Sequence, residues 1–81
     1  MIRVLLFAGM RELVGKDHIL LPVEMGKATV QEIKQWIGDQ FPQTKDILMK
    51  SMCAVNQNYA REDQVVTDQD EIAFIPPVSG G

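Results

Sequence analysis

Cysteine is nearly absent from this sequence of 81 residues, and Cys53 is the only one. A single thiol can form neither an intrachain disulfide nor a zinc-ligand set, which excludes a disulfide scaffold or a zinc module and fits a reducing cytosol. Its neighbours Met52, Ala54 and Val55 predict a buried strand, where a free thiol behaves as a small hydrophobe. Histidine is equally scarce: His18 has no second histidine or cysteine at ligand spacing. There is no Lys/Arg cluster, the basic residues being scattered singly from Arg3 to Arg61. The net charge is −3 and the isoelectric point about 4.9. That balance argues against nucleic acid or an anionic membrane as partner, since both demand basic patches. No apolar run approaches transmembrane length. The apolar start, Met1 to Ala8, is too short for a signal peptide and meets Arg11-Glu12 without a small-residue cleavage site. Repeats, linkers and low-complexity stretches are missing too. The expectation is one soluble cytoplasmic domain, too small for a deep catalytic cavity of its own.

What is present alternates between strand and helix signals. Ile2 to Ala8 is apolar on both faces, with Ile2, Val4 and Leu6 on one and Leu5 and Phe7 on the other, which predicts a central strand. Met10 to Gly15 predicts a short helical turn stopped by glycine. His18 to Val23 predicts a second strand, placed at a sheet edge by the donor that Pro22 removes. Thr29-Val30-Gln31-Glu32 is a capping box, and Val30, Ile33, Ile37 and Phe41 recur behind it at helical spacing. Pro42 then closes a helix over about 30–41. Residues 43–50 suggest a short helix turning Ile47 and Leu48 inward. Met52 to Val55 predicts a strand, Asn56-Gln57-Asn58 a tight turn, Tyr59 onward a short return strand, and Glu71 to Ile75 a last strand after a turn at Thr67–Asp70.

If the first and last strands pair at the centre, they run parallel. The order then describes a ubiquitin-like β-grasp of the α+β class: a mixed sheet of about five strands covered by one main helix and one or two short ones. The predicted body is residues 1–76, followed by a flexible tail at 77–81.

Side-chain chemistry is thin. Asp68, Asp70 and Glu71 only loosely resemble a cation site, Gly9 and Gly15 flank no phosphate-loop pattern, and no metal-binding set is expected. The ending stands apart. Pro76-Pro77 forms a stiff exit from the last strand, and Val78-Ser79-Gly80-Gly81 a thin thread suited to a narrow channel. A terminal carboxylate, with pKa near ~3.5, is a stable anion and a poor electrophile. Acyl chemistry at Gly81 therefore requires activation, most simply attack on the α-phosphate of ATP to give an acyl-adenylate. A sulfur donor could then replace the adenylate and leave a thiocarboxylate on the last residue.

Four segments together carry a resemblance. They are V-L-L-F-A-G-M-R-E-L-V-G at 4–15, T-V-Q-E at 29–32, A-V-N-Q at 54–57 and D-E-I-A-F-I-P-P-V-S-G-G at 70–81. Across essentially its whole length the chain resembles the small-subunit family of molybdopterin synthase. The resemblance implies a β-grasp sulfur carrier in molybdenum cofactor biosynthesis, part of a sulfurtransferase heterotetramer and active only with the large subunit. It implies that a ubiquitin-activator-like enzyme, using ATP and Mg, adenylates Gly81. The resulting thiocarboxylate gives its sulfur to cyclic pyranopterin monophosphate, building the molybdopterin dithiolene. No cofactor is expected on the chain itself. Gly80, Ser79, Val78, Pro77 and Pro76 would thread the tail, while Phe7, Tyr59 and Ile75, with Arg11 as a polar contact, match the family's partner-binding positions. Two positions depart from the common pattern: Gln69 stands where glycine is frequent, and Ile75 where an aromatic is. Other readings stay open here: a sulfur carrier of the thiamine thiazole type, a ubiquitin-like protein modifier, or an interaction module with an inert tail.

Overall fold

A computed structural model describes residues 1–22 and 26–76. Strand β1 (Ile2–Leu6) buries Ile2, Val4 and Leu6 on one face. It stops two residues short of the expected Ala8, because the chain turns at Ala8 (φ +48°) into helix α1 (Ala8–Val14). Gly15 ends α1 in the left-handed region (φ +83°), its N–H donating to the Arg11 carbonyl at 2.8 Å. That is the conformation a side chain would resist and glycine accepts.

Strand β2 (His18–Leu21) lies antiparallel to β1 at one edge of the sheet, with Pro22 just beyond it. Helix α2 (Val30–Gln40) starts at the capping box: the Glu32 N–H donates to Thr29 Oγ1 at 3.1 Å, and the Thr29 N–H to Glu32 Oε1 at 2.8 Å. Val30, Ile33 and Ile37 then fall on one buried stripe. A 3-10 turn (Pro42–Thr44) leads into α3 (Lys45–Lys50), which buries Leu48 and packs Ile47 against the core.

The remaining chain is β-structure. Strand β4 (Met52–Val55) turns back through Asn56 (φ +52°) and Gln57 (φ +70°) into β5 (Asn58–Ala60), and β7 (Ile72–Ile75) closes the sheet. Two left-handed residues match the right-handed twist of a tight hairpin, which asparagine tolerates. Strand order is β2-β1-β7-β4-β5, with β1 and β7 parallel at the centre and the other neighbours antiparallel. This is the expected ubiquitin-like β-grasp, an α+β fold with α2 across one face. One element goes beyond the sequence reading. Strands β3 (Lys27–Thr29) and β6 (Val65–Thr67) form a separate two-stranded antiparallel ribbon. Only Val66 is fully buried in it, so neither segment carries an apolar alternation strong enough to announce a strand.

No helix among the described residues is long and apolar enough to cross a membrane. The tail residues 77–81 lie outside the described residues.

Candidate functional site

The sheet face opposite α2 carries several of the large apolar side chains that reach the surface. Strand registers place His18, Leu5, Ala73, Ala54 and Tyr59 in one row across all five strands. In the next row Ile75 pairs with Met52, and Phe7 follows the last β1 residue, Leu6, whose partner is Phe74. The two alanines are short, and their neighbours are not. Ala54 and Ala73 therefore make the floor of a shallow depression of about 420 Å³, with Phe7, Tyr59 and Ile75 standing around it and Gln57 and Glu71 at its polar margin. The three wall residues are 45%, 70% and 38% exposed, an unusual concentration of unburied apolar surface on so small a body.

Phe7, Tyr59 and Ile75, expected as partner-binding positions, thus come together. Arg11 does not join them: it is exposed on α1, one turn beyond Phe7, and is not part of the lining. Pro76 follows Ile75 directly, half-buried. Pro77, Val78, Ser79, Gly80 and Gly81 lie outside the described residues. Leu5, Ala54, Ala73 and Met52 also belong to this face, and sequence reasoning did not single them out. Strand alternation already puts Leu5 with Phe7. The alanines emerge as a floor only once β7 is placed between β1 and β4.

A polar clasp holds the depression's rim. Asn56 donates from Nδ2 to Asp70 Oδ1 at 2.9 Å, and its Oδ1 accepts the Glu71 N–H at 3.0 Å. Asp70 Oδ2 accepts the Thr67 N–H at 2.8 Å. The β4–β5 hairpin that carries Tyr59 is thereby tied to the start of β7. Gln69 needs no glycine backbone: it is not among the residues with positive φ, and its N–H donates to Thr67 Oγ1 at 3.2 Å. The acidic turn is thus a structural clasp.

The Thr67 N–H, followed by the Asn56 amide, holds the Asp70 carboxyl below its ordinary value of 3.8. A pKa lower in the folded than in the unfolded chain gives stability that is present above the unfolded value and lost as pH falls through the folded one. Asp70→Asn should therefore be less stable than the parent at neutral pH, with the gap closing below about pH 4. Thermal melts across a pH series measure this, and a gap that stayed constant into strong acid would exclude the clasp as its cause.

The other reactive groups are accounted for. His18 Nδ1 sits 2.7 Å from Asp17 Oδ1 on the surface, and no group of three or more potential metal ligands forms among the described residues. Cys53 is buried, and burial pushes its thiol up to about 11, with the Lys34 charge opposing weakly. At neutral pH that leaves a thiolate fraction on the order of one in ten thousand, too little for sulfur handling. If the chain carries sulfur as the resemblance implies, Cys53→Ala is expected to retain that transfer, and the native thiol to resist a thiol-reactive dye until the protein unfolds. Loss of transfer with an unchanged melt would put the sulfur on Cys53 instead.

The sequence profile described as the ThiS family matches residues 4–81. The chain belongs to the ThiS family. Within it, the chain is 41% identical over 83 aligned positions to the molybdopterin synthase sulfur carrier subunit of Escherichia coli, covering 100% of both chains. It is 40% identical to the protein of that name from Dictyostelium discoideum, covering 98% of this chain and 94% of the relative. In three dimensions it is similar to the crystal structure of SAMP1 from Haloferax volcanii, with a TM-score of 0.82 and 25% identity over 99% of this chain and 98% of the other. Membership in the ThiS family and the structural likeness to SAMP1 agree with the β-grasp body.

Proposed function

We propose that this ThiS-family chain is the sulfur carrier of molybdopterin synthase and works through a thiocarboxylate on Gly81. One observation carries the reading beyond the relatives' names. Ile75, a wall of the apolar depression, is the last residue of β7, so a partner seated on the depression is next to the point where the chain leaves the sheet toward Gly80-Gly81. A large subunit docked there would receive the tail directly. The body supplies position, and the partner supplies the pocket.

In the proposed cycle the Gly81 carboxylate attacks the α-phosphate of ATP on an adenylating enzyme, with Mg²⁺ bound to the nucleotide, and pyrophosphate leaves. A sulfide-equivalent donor displaces AMP and leaves the thiocarboxylate. Inside the large subunit the sulfur passes to cyclic pyranopterin monophosphate, and Gly81 returns to the carboxylate with oxygen from water. A dithiolene holds two sulfurs, so each product consumes two loaded tails. Glycine leaves the acyl carbon unhindered, and enclosure by the partner limits hydrolysis of the activated ends. Among the described residues no metal-ligand cluster forms and Cys53 is buried, which supports a cycle in which turnover requires the complex.

Reconstitution tests the reading. Thiocarboxylated chain, large subunit and pterin precursor together should yield the dithiolene product, while the thiocarboxylated chain alone should yield none. Product without a second protein would refute the carrier role. Mass spectrometry of the chain from its native host should show one oxygen exchanged for sulfur.

The likeness to the small archaeal modifier protein SAMP1 of Methanosarcina acetivorans favours a second use of the same activated end, attachment to other proteins. Lysine conjugates carrying the Gly81 remnant would support it.

A further inference from the structure

The edge of the sheet at β2 borders a groove that the sulfur-carrier reading leaves unused. The Leu6 N–H donates to the Asp17 carbonyl at 2.9 Å, which makes this a hydrogen-bonded pair in the β1–β2 register. Antiparallel pairs alternate, so Ile19 and Leu21 turn their amides and carbonyls toward β1, and His18 and Leu20 turn theirs outward. Among the described residues nothing on the backbone bonds to those outward groups. Beside this edge, between β2 and α2, lie two depressions of about 600 and 270 Å³ that share Trp36 as a lining residue. Their apolar lining includes Ile19, Leu21, Ile33 and Phe41. A free strand edge next to an apolar trough is the geometry in which an extended segment gains main-chain bonds and side-chain burial together.

The charges at the trough are asymmetric. Lys16 lies at the His18 end and Lys27 at the Leu21 end, and neither has an ion-pair partner among the described residues. The nearby acids are mostly committed: Glu32 to the capping box at Thr29, and Asp17 to His18. Asp39 remains on the α2 wall. The four residues of β2 span about 10 Å, so the lysines flank room for roughly four or five residues of added strand.

We infer that the β2 edge binds an extended segment of another protein, with apolar side chains alternating into the Trp36 trough and a carboxylate at each end. Strand addition orients the segment, and Lys16 and Lys27 set its charge pattern. The trough lies on the α2 face of the sheet and the depression on the opposite face, so a carrier could hold such a partner while its open face is engaged elsewhere.

Trp36 is the only tryptophan, so its fluorescence reports the trough directly. The probe is the synthetic peptide acetyl-Glu-Ile-Thr-Val-Thr-Ile-Glu-amide, titrated into the full chain. A saturable change in Trp36 emission is expected, with slower hydrogen exchange at the His18 and Leu20 amides. Replacing both threonines by proline should abolish binding, because the ladder loses its donors. Replacing both glutamates by lysine should weaken it about tenfold. The Lys16→Glu/Lys27→Glu double variant, altered only at exposed side chains, should reverse that preference. Three results would each overturn the inference: no change in Trp36 emission, equal binding of the proline peptide, or perturbation confined to Phe7 and Tyr59. Protection of the His18 and Leu20 amides by self-association without peptide would identify a second copy as the occupant and overturn it as well. None of these measurements involves Gly81, so failure here leaves the sulfur-carrier reading intact.

Discussion

Deleting Gly81 is expected to abolish sulfur transfer while leaving the thermal melt of the body unchanged. The loss moves the terminal carboxylate back by up to about 3.6 Å of extended chain. Reacting atoms must approach within about 3–3.5 Å in line, and misplacement by about 1 Å already costs on the order of 100-fold. A shift several times larger leaves no productive geometry in either the adenylating enzyme or the large subunit. Adding one residue after Gly81 should be as damaging, since the carboxylate then moves forward by the same step and no longer belongs to that glycine. Gly80→Val should also be severe, because a β-branched side chain stiffens the backbone and widens the thread. Ser79→Ala should be mild, since no step in the cycle needs its hydroxyl. The measurement is dithiolene formation with each variant beside its melt. Near-normal activity of the Gly81 deletion would remove the terminal thiocarboxylate from the mechanism.

Phe7→Ala and Ile75→Ala should each weaken association with the large subunit by about 2 kcal/mol, roughly 30-fold, if the depression is the docking seat. Both side chains are partly exposed in the free chain, 45% and 38%, and would be desolvated on binding. For the same reason their truncation costs the fold less than a core deletion such as Phe74→Ala, at about 3–5 kcal/mol. Ala73→Leu attacks the seat from the opposite direction. It fills the floor between Leu5 and Ala54, where a partner side chain would settle, and should be at least as disruptive as losing a wall. Arg11→Ala is the contrasting variant: lying off the lining, it should change affinity by less than about threefold. Calorimetric titration with the large subunit separates these cases. Turnover at saturating partner should be far less affected, because in the proposed cycle the seat only positions the tail and takes no part in the chemistry. Wild-type affinity for Phe7→Ala, Ile75→Ala and Ala73→Leu together would place docking on another surface.

Much of the body was legible in the residues. The Thr29–Glu32 capping box and the Val30, Ile33, Ile37 stripe lie within two or three helical turns, where spacing alone decides which side chains share a face. The alternation of Ile2, Val4 and Leu6 works in the same way over a strand, and the apolar neighbours of Cys53 foretold its burial. Phe7, Tyr59 and Ile75 were marked by resemblance, and the proposed tail chemistry rests on Gly80 and Gly81, whose nature is independent of the fold.

Tertiary structure decided what depends on the register between distant segments. The Asn56–Asp70 bond joins side chains 14 positions apart, and nothing in either turn alone specifies the other as its partner. The β3–β6 ribbon needs residues 27–29 and 65–67 brought together, with one fully buried apolar side chain, Val66, to signal it. Ala54 and Ala73 are unremarkable small residues until β7 is inserted between β1 and β4, and only that insertion makes them the floor of a depression. Local periodicity is fixed by covalent geometry and survives in any short window of sequence. Which strand lies beside which is fixed by burial summed over the whole chain, and that sum appears only when the chain is folded.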